Sequence, residues 1–165
     1  CALPIWKTAS GKANFKANAL LDDLLPPQVR ESGETPDLIL QTLRSHDQYN
    51  TTVYGLDDRY RGVRGQRDVL FANEADILRL GFKPGQKVDI RSLWNDGIER
   101  RVSSFTLLAF DIPAGQAAAY FPEANPLVPL ESFGARSHTP TSKFIAIRVL
   151  PDTRTTEQQL IASGQ

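Results

Sequence analysis

Residues Thr42 to Gly55, TLRSHDQYNTTVYG, concentrate the side chains of this sequence that could do chemistry. They follow a short apolar run, Leu38-Ile39-Leu40, that reads as a strand. Nearly every residue from Thr42 to Thr52 carries a donor or an acceptor, among them His46, one of two histidines in the chain. Water satisfies an ordinary surface loop, so such a loop needs few of these groups. Guanidinium, hydroxyl, imidazole and amide groups crowded at a strand end suit a ligand rich in heteroatoms. The competing reading is a polar turn whose Asn and Asp cap their own backbone.

The elements that must position this run can be read on either side of it. Asp37 to Leu43 is a strand. Arg67 to Ala72 runs from polar into apolar and reads as another. Asn73 is a good helix N-cap, and Glu74 and Asp76 favour the positive end of the helix that follows. That short helix, Glu74 to Leu80, stops at Gly81. Phe82-Lys83-Pro84-Gly85 is turn chemistry, with Pro fixing φ and Gly permitting positive φ. Lys87 to Leu93 is a strand, Arg100 to Ile112 a strand with a bend, Ala117 to Phe121 a short buried strand and Phe144 to Leu150 the last. The helix is too short for a βαβ unit, so the order points to a compact β-barrel. Upstream, Ala19 to Leu25 reads as an apolar helical turn, followed by Pro26-Pro27 and a polar connection. Asp57 to Gly65 reads as an arginine-rich loop. Residues 1–150 form the barrel domain on this reading, and 151–165 a polar tail.

Two blocks, TLRSHDQYNTTVYGLDDRYRG and VLFANEADILRLGFKPGQKVDI, resemble the C-terminal dinucleotide-binding domain of molybdopterin oxidoreductases, in the formate-dehydrogenase-like branch. Thr8 to Phe15, TASGKANF, is similar to that branch's entry strand, with Ala9 where the family usually has proline. Tyr120 to Leu127 resembles a segment with a pterin-side asparagine, and Ser137 to Lys143 the last loop before the closing strand. The motifs run in the family's order across roughly residues 8 to 150. The resemblance implies a mainly β fold, a double-psi β-barrel of about six strands with short helices.

It also implies a role. The barrel would cap a bis(molybdopterin guanine dinucleotide) carrying molybdenum or tungsten. The metal's protein ligand and any iron–sulfur cluster would come from the N-terminal catalytic domains of the same chain, leaving this fragment alone without activity. Arg44, Ser45, His46 and Gln48 would contact the cofactor, with Asn50 and Thr51 shaping the loop. Asn73 and Asp76 would serve the guanine or ribose end of one dinucleotide, or else act as an N-cap and a solvated carboxylate. Asn125, braced between Pro122 and Pro129, and Lys143 would close the site, and these two should meet the 44–51 loop at one end of the barrel. Similar barrels also occur as protein-interaction modules, which need an exposed apolar groove, and as decarboxylases that self-cleave at a Gly-Ser pair. This sequence has no Gly-Ser pair.

Composition narrows the classes further. The 165 residues carry no net charge, which argues against nucleic-acid binding through bulk charge. No run approaches the roughly 20 apolar residues of a membrane span. The single cysteine, Cys1, allows neither an internal disulfide nor a cysteine-cluster metal site. There is no methionine, even at position 1, as expected of a domain from a larger protein. A cytoplasmic setting is expected, with any targeting segment upstream.

Other motifs fall short. Ser10-Gly11-Lys12-Ala13 lacks the glycine that a phosphate loop needs at Trp6 and the hydroxyl it needs at Ala13. His46 and His138 have no helical spacing that would pair them on a metal. Ser45 and His46 are adjacent and cannot form a nucleophile–base pair without a strained turn. Arg59, Arg61, Arg64 and Arg67 suit a pyrophosphate or acidic groups of neighbouring domains better than RNA, since only Tyr60 offers a stacking platform.

Overall fold

The computed structural model describes residues 6–20, 22–50 and 53–154. Six strands close into a barrel: β1 (Leu38–Leu43), β4 (Val69–Ala72), β5 (Lys87–Ser92), β6 (Arg101–Ala109), β7 (Gln116–Tyr120) and β8 (Ile145–Pro151), joined in the order β1-β7-β4-β6-β5-β8. A separate two-stranded ribbon pairs β2 (Asp57–Asp58) with β3 (Val63–Arg64). Two short helices, α1 (Pro27–Arg30) and α2 (Glu74–Arg79), and a 3-10 turn at Asn125–Leu127 complete the architecture. The mainly β, six-stranded barrel is as expected. β1 runs parallel to β7, and β4 parallel to β6; the other four barrel pairings are antiparallel. Closure leaves the barrel itself without an open strand edge.

Side chains alternate across the barrel wall with the period of a strand. Leu38 and Leu40, Leu70 and Ala72, Val88 and Ile90, Phe105 and Leu107, Ala117 and Ala119, and Ile145, Ile147 and Val149 form one buried cluster inside. β4 is buried on both faces, which is why VLFA reads as a continuous apolar run. Its outer residues Val69 and Phe71 pack with Val63, Ala118 and Tyr120, so the ribbon covers that side of the wall. On another side Val29 of α1 packs with Leu93 and Ala146.

The bend expected in β6 is a β-bulge. The β5–β6 register shifts between Val88 and Ile90, and Ser104 adopts a left-handed φ of 61°. The bulge frees the Ser104 N–H, and the Asp89 carboxylate accepts it at 3.0 Å. Two local expectations need correction. Ala19 to Leu25 is not a helical turn: its described residues have no helix, and Leu20 is 95% exposed. The helix starts instead at Pro27, whose fixed φ and missing N–H suit a first helical position. The arginine-rich loop is the β2–β3 ribbon, turned by Gly62 at φ 70°. The tail beyond Arg154 lies outside the described residues.

Candidate functional site

Strand directions decide which predicted residues can meet. β1 and β7 are parallel, so the 44–50 loop and the 121–127 segment leave the barrel at the same end, with Phe121 N–H bonded to Leu43 O at 2.9 Å. β8 is antiparallel to β1 with Leu40 opposite Ile145, which brings Lys143 to that end too. The Lys143 ammonium donates to Thr42 O, and Thr42 N–H to Ser142 O at 2.8 Å. Arg44, Ser45, His46, Gln48, Asn50, Asn125 and Lys143 therefore sit on segments that gather at one end. Thr51 lies outside the described residues.

A cleft of about 400 Å³ opens there between Thr42, Leu43, Arg44, Phe121, Ser142 and Lys143. Arg44 is exposed, and its guanidinium has no ion pair or hydrogen bond among the described residues. Asn125 is exposed as well, in the 3-10 turn held by its own N–H to Pro122 O at 2.9 Å. The His46 ring stands edge-on to Tyr60 with centroids 4.1 Å apart. Its Nε2 lies 3.1 Å from Asp47 Oδ1 but is buried without a hydrogen bond. Asp58 Oδ1 and Glu123 Oε2, on neighbouring segments, are also buried without one. Buried polar atoms are normally satisfied, so three orphans at one end call for partners.

Ser45 and Gln48 face inward rather than toward the cleft. Both are buried. Ser45 Oγ accepts from Arg67 Nη1 at 2.6 Å, and Gln48 Oε1 accepts from Arg67 Nη2 at 3.2 Å and from Ser45 N–H at 3.1 Å. Gln48 Nε2 donates to Phe121 O at 2.9 Å. Arg67, grouped by sequence with arginines suited to a pyrophosphate or to acidic groups of neighbouring domains, is 5% exposed and engaged within the chain. Arg61 pairs with Asp58 at 2.7 Å and Arg64 lies 3.6 Å from Asp57, so these cations too find partners locally. Burial pushes the Asp58 carboxyl up, but the Tyr120 hydroxyl and Arg61 outweigh it and hold the carboxyl below its ordinary range. Burial and the Asp58 charge push the Tyr120 phenol well above its ordinary value.

Asn73 and Asp76 lie at the opposite end. β4 is antiparallel to β7, so the residues after Ala72 adjoin the start of β7. Asn73 caps α2 by accepting from Ala75 N–H at 3.0 Å, and its amide donates to Ile112 O at 2.8 Å. It borders a separate hollow of about 410 Å³ with Glu74 and Asp111. Asp76 is buried rather than solvated: one oxygen accepts Gly115 N–H at 2.6 Å, the other Arg79 at 2.8 Å. Its carboxylate is a clamp on the β6–β7 connection. Among the described residues no group of three His, Cys, Asp or Glu could hold a metal ion.

No family model matches the chain. Curated relatives do. The chain is 52% identical over 150 residues to a Mycobacterium tuberculosis protein named uncharacterized oxidoreductase. It is 40% identical over 151 residues to the protein YdeP of Escherichia coli. Each match covers 88% of this chain. It covers only 18% of the mycobacterial protein and 19% of the E. coli one. The chain thus corresponds to one part of much longer proteins. No described helix is long and apolar enough to cross a membrane.

What sequence reasoning missed at this site is Arg67 and its partner Glu123, 2.6 Å apart. The only available signal was a charged residue two places ahead of a wholly apolar strand. The sequence does not say that its acceptors come from positions 45, 48, 121 and 123.

Proposed function

We propose that this chain is the C-terminal cofactor-binding domain of a larger oxidoreductase that uses bis(molybdopterin guanine dinucleotide) with molybdenum or tungsten, of formate-dehydrogenase-like type. The observation that carries the reading is the cleft where the Arg44 guanidinium, unpaired among the described residues, and the Lys143 ammonium stand at the mouth of a closed barrel. Relatives named oxidoreductase, of which this chain is a fraction, support the same reading.

The residues present fit such a group. Arginine takes phosphate or carbonyl oxygens with two parallel N–H donors, and lysine adds a compact charge. Arg44 and Lys143 would hold phosphate or pterin oxygens. His46 Nε2, without a hydrogen bond among the described residues, would offer one to a pterin heteroatom. Asn125 can supply both donor and acceptor. When bound, the group would supply two-electron redox chemistry at its metal; the metal's protein ligand would lie elsewhere in the longer chain. Asn73 and Asp76 are engaged in the fold, and of the two Asn73, beside its own hollow, is better placed for a nucleotide edge.

The test is composition. The longer protein should carry molybdenum or tungsten together with guanine nucleotide released on acid hydrolysis, and Arg44→Ala should lower both. Equal contents in wild type and variant would refute the assignment of this cleft. A second reading, a protein-interaction barrel, has one observation in its favour: an apolar hollow of about 330 Å³ between Leu24, Trp94, Phe133 and Phe144. It predicts a purified long chain free of metal and nucleotide.

A further inference from the structure

Arg67 stands two residues before the start of β4, with its carbonyl accepting Val69 N–H at 2.8 Å. Its guanidinium hydrogen-bonds two segments that are remote in sequence. Nε donates to Glu123 Oε1 at 2.6 Å, Nη1 to Ser45 Oγ at 2.6 Å, and Nη2 to Gln48 Oε1 at 3.2 Å and Phe121 O at 2.9 Å. The plane is held from the sides too, with Cζ 3.8 Å from the Tyr54 ring centroid and 4.8 Å from that of Tyr120. Gln48 Nε2 shares the Phe121 carbonyl, which closes a ring of hydrogen bonds through Arg67, Gln48 and Phe121. Arg67 does not itself line the cleft. It holds two of the three segments that do, the one carrying Arg44 and the one carrying Phe121.

We propose that Arg67 is the positioning residue of this end of the barrel: its guanidinium locks the 44–48 loop against the 121–123 turn and so sets the geometry in which Arg44 meets a ligand. The consequence for cofactor binding rests on the function proposed above; the hold on the loop does not. A planar fork is what the arrangement needs. Lysine would keep the charge beside Glu123 but cannot reach Ser45, Gln48 and Phe121 at once. The neighbouring Arg61 cannot take over, since it is bound to Asp58.

The test uses the longer protein in wild-type, Arg67→Lys, Arg67→Met and Arg44→Ala forms. Two quantities are read: amide hydrogen exchange along the chain, and molybdenum (or tungsten) and guanine nucleotide per chain. In Arg67→Lys, exchange in 44–48 and 121–124 should rise at least tenfold while β5 and β8 keep wild-type rates, and cofactor content should fall by a similar factor. Arg67→Met should show the same local pattern; if that variant fails to fold, the Lys variant decides alone. Unchanged loop exchange in Arg67→Lys, or an equal rise in β5 and β8, overturns the proposal. So does a loosened loop with full cofactor content when Arg44→Ala has lost its cofactor. If Arg44→Ala keeps full content, the function proposed for the cleft fails, and the exchange pattern still decides whether Arg67 holds the loop.

Discussion

The Tyr120 hydroxyl donates a 2.7 Å hydrogen bond to Asp58 Oδ2 and thereby ties the end of β7 to the β2–β3 ribbon. Both groups are buried, and the same carboxylate oxygen receives Arg61 at 2.7 Å. Tyr120→Phe removes one donor from a buried carboxylate and leaves the ring packing in place. The expected loss is about 1–3 kcal/mol of stability, read as a lower denaturant midpoint at unchanged slope. An unchanged midpoint would mean that the ribbon is not fastened through this pair.

Asp76 makes a second inter-element clamp, at the other end of the barrel. Asp76→Ala strands the Gly115 N–H and frees Arg79. A loss of about 1–3 kcal/mol is expected. Asp76→Asn, which keeps an acceptor for Gly115, should lose less. Chemical denaturation of the two variants side by side checks the order; equal losses would contradict the Gly115 clamp.

Asp89 gives a pH dependence. Its carboxyl is fully buried, which alone would raise its pKa, but the Thr153 hydroxyl, Ser104 N–H and Arg101 outweigh this and hold it at about 2, below the ordinary 3.8. A depressed folded-state value means that the ionised form stabilises the fold above the unfolded value, and that this contribution fades as pH falls through about 2. The contribution is of order 2 kcal/mol. Stability measured from pH 5 to pH 2 should therefore fall less steeply in Asp89→Asn than in wild type. Parallel curves would contradict the role of Asp89.

Leu40 and Leu107 fill the barrel interior and have essentially no exposure. Replacing either by alanine leaves a cavity among strands fixed by closure, so about 2–5 kcal/mol should be lost. Thermal midpoints of both variants check this, and a shift near zero in either would place that side chain outside the core.

Much of this architecture can be read from local chemistry. Asn73, Gly81 and Pro84-Gly85 punctuate the chain where α2 begins, where it stops and where the turn before β5 falls, because caps and turns are decided by neighbouring residues. The alternation in β1 and β8 marks their inward faces for the same reason. Ala19 to Leu25 misleads because apolar residues at helical spacing carry no information about whether a surface exists to receive them. The polar run of 42–50 is also ambiguous from sequence. Arg44 and Ser45 are adjacent and both polar, yet one has no partner among the described residues at the cleft while the other is bound to Arg67, 22 residues away. Which polar residue stands at the cleft and which faces a buried arginine depends on the parallel pairing of β1 with β7, a tertiary fact. Asn73 and Asp76 fall at the far end for a matching reason, the antiparallel pairing of β4 with β7.

The most direct measurement is a structure of the longer protein purified with whatever group it carries. The account predicts a pterin dinucleotide at the barrel end formed by 42–50, 121–127 and 143, with the Arg44 guanidinium and Lys143 ammonium within about 3.5 Å of its oxygen atoms. A cleft filled by side chains from the rest of the chain, with Arg44 and Lys143 paired to carboxylates there, would contradict it.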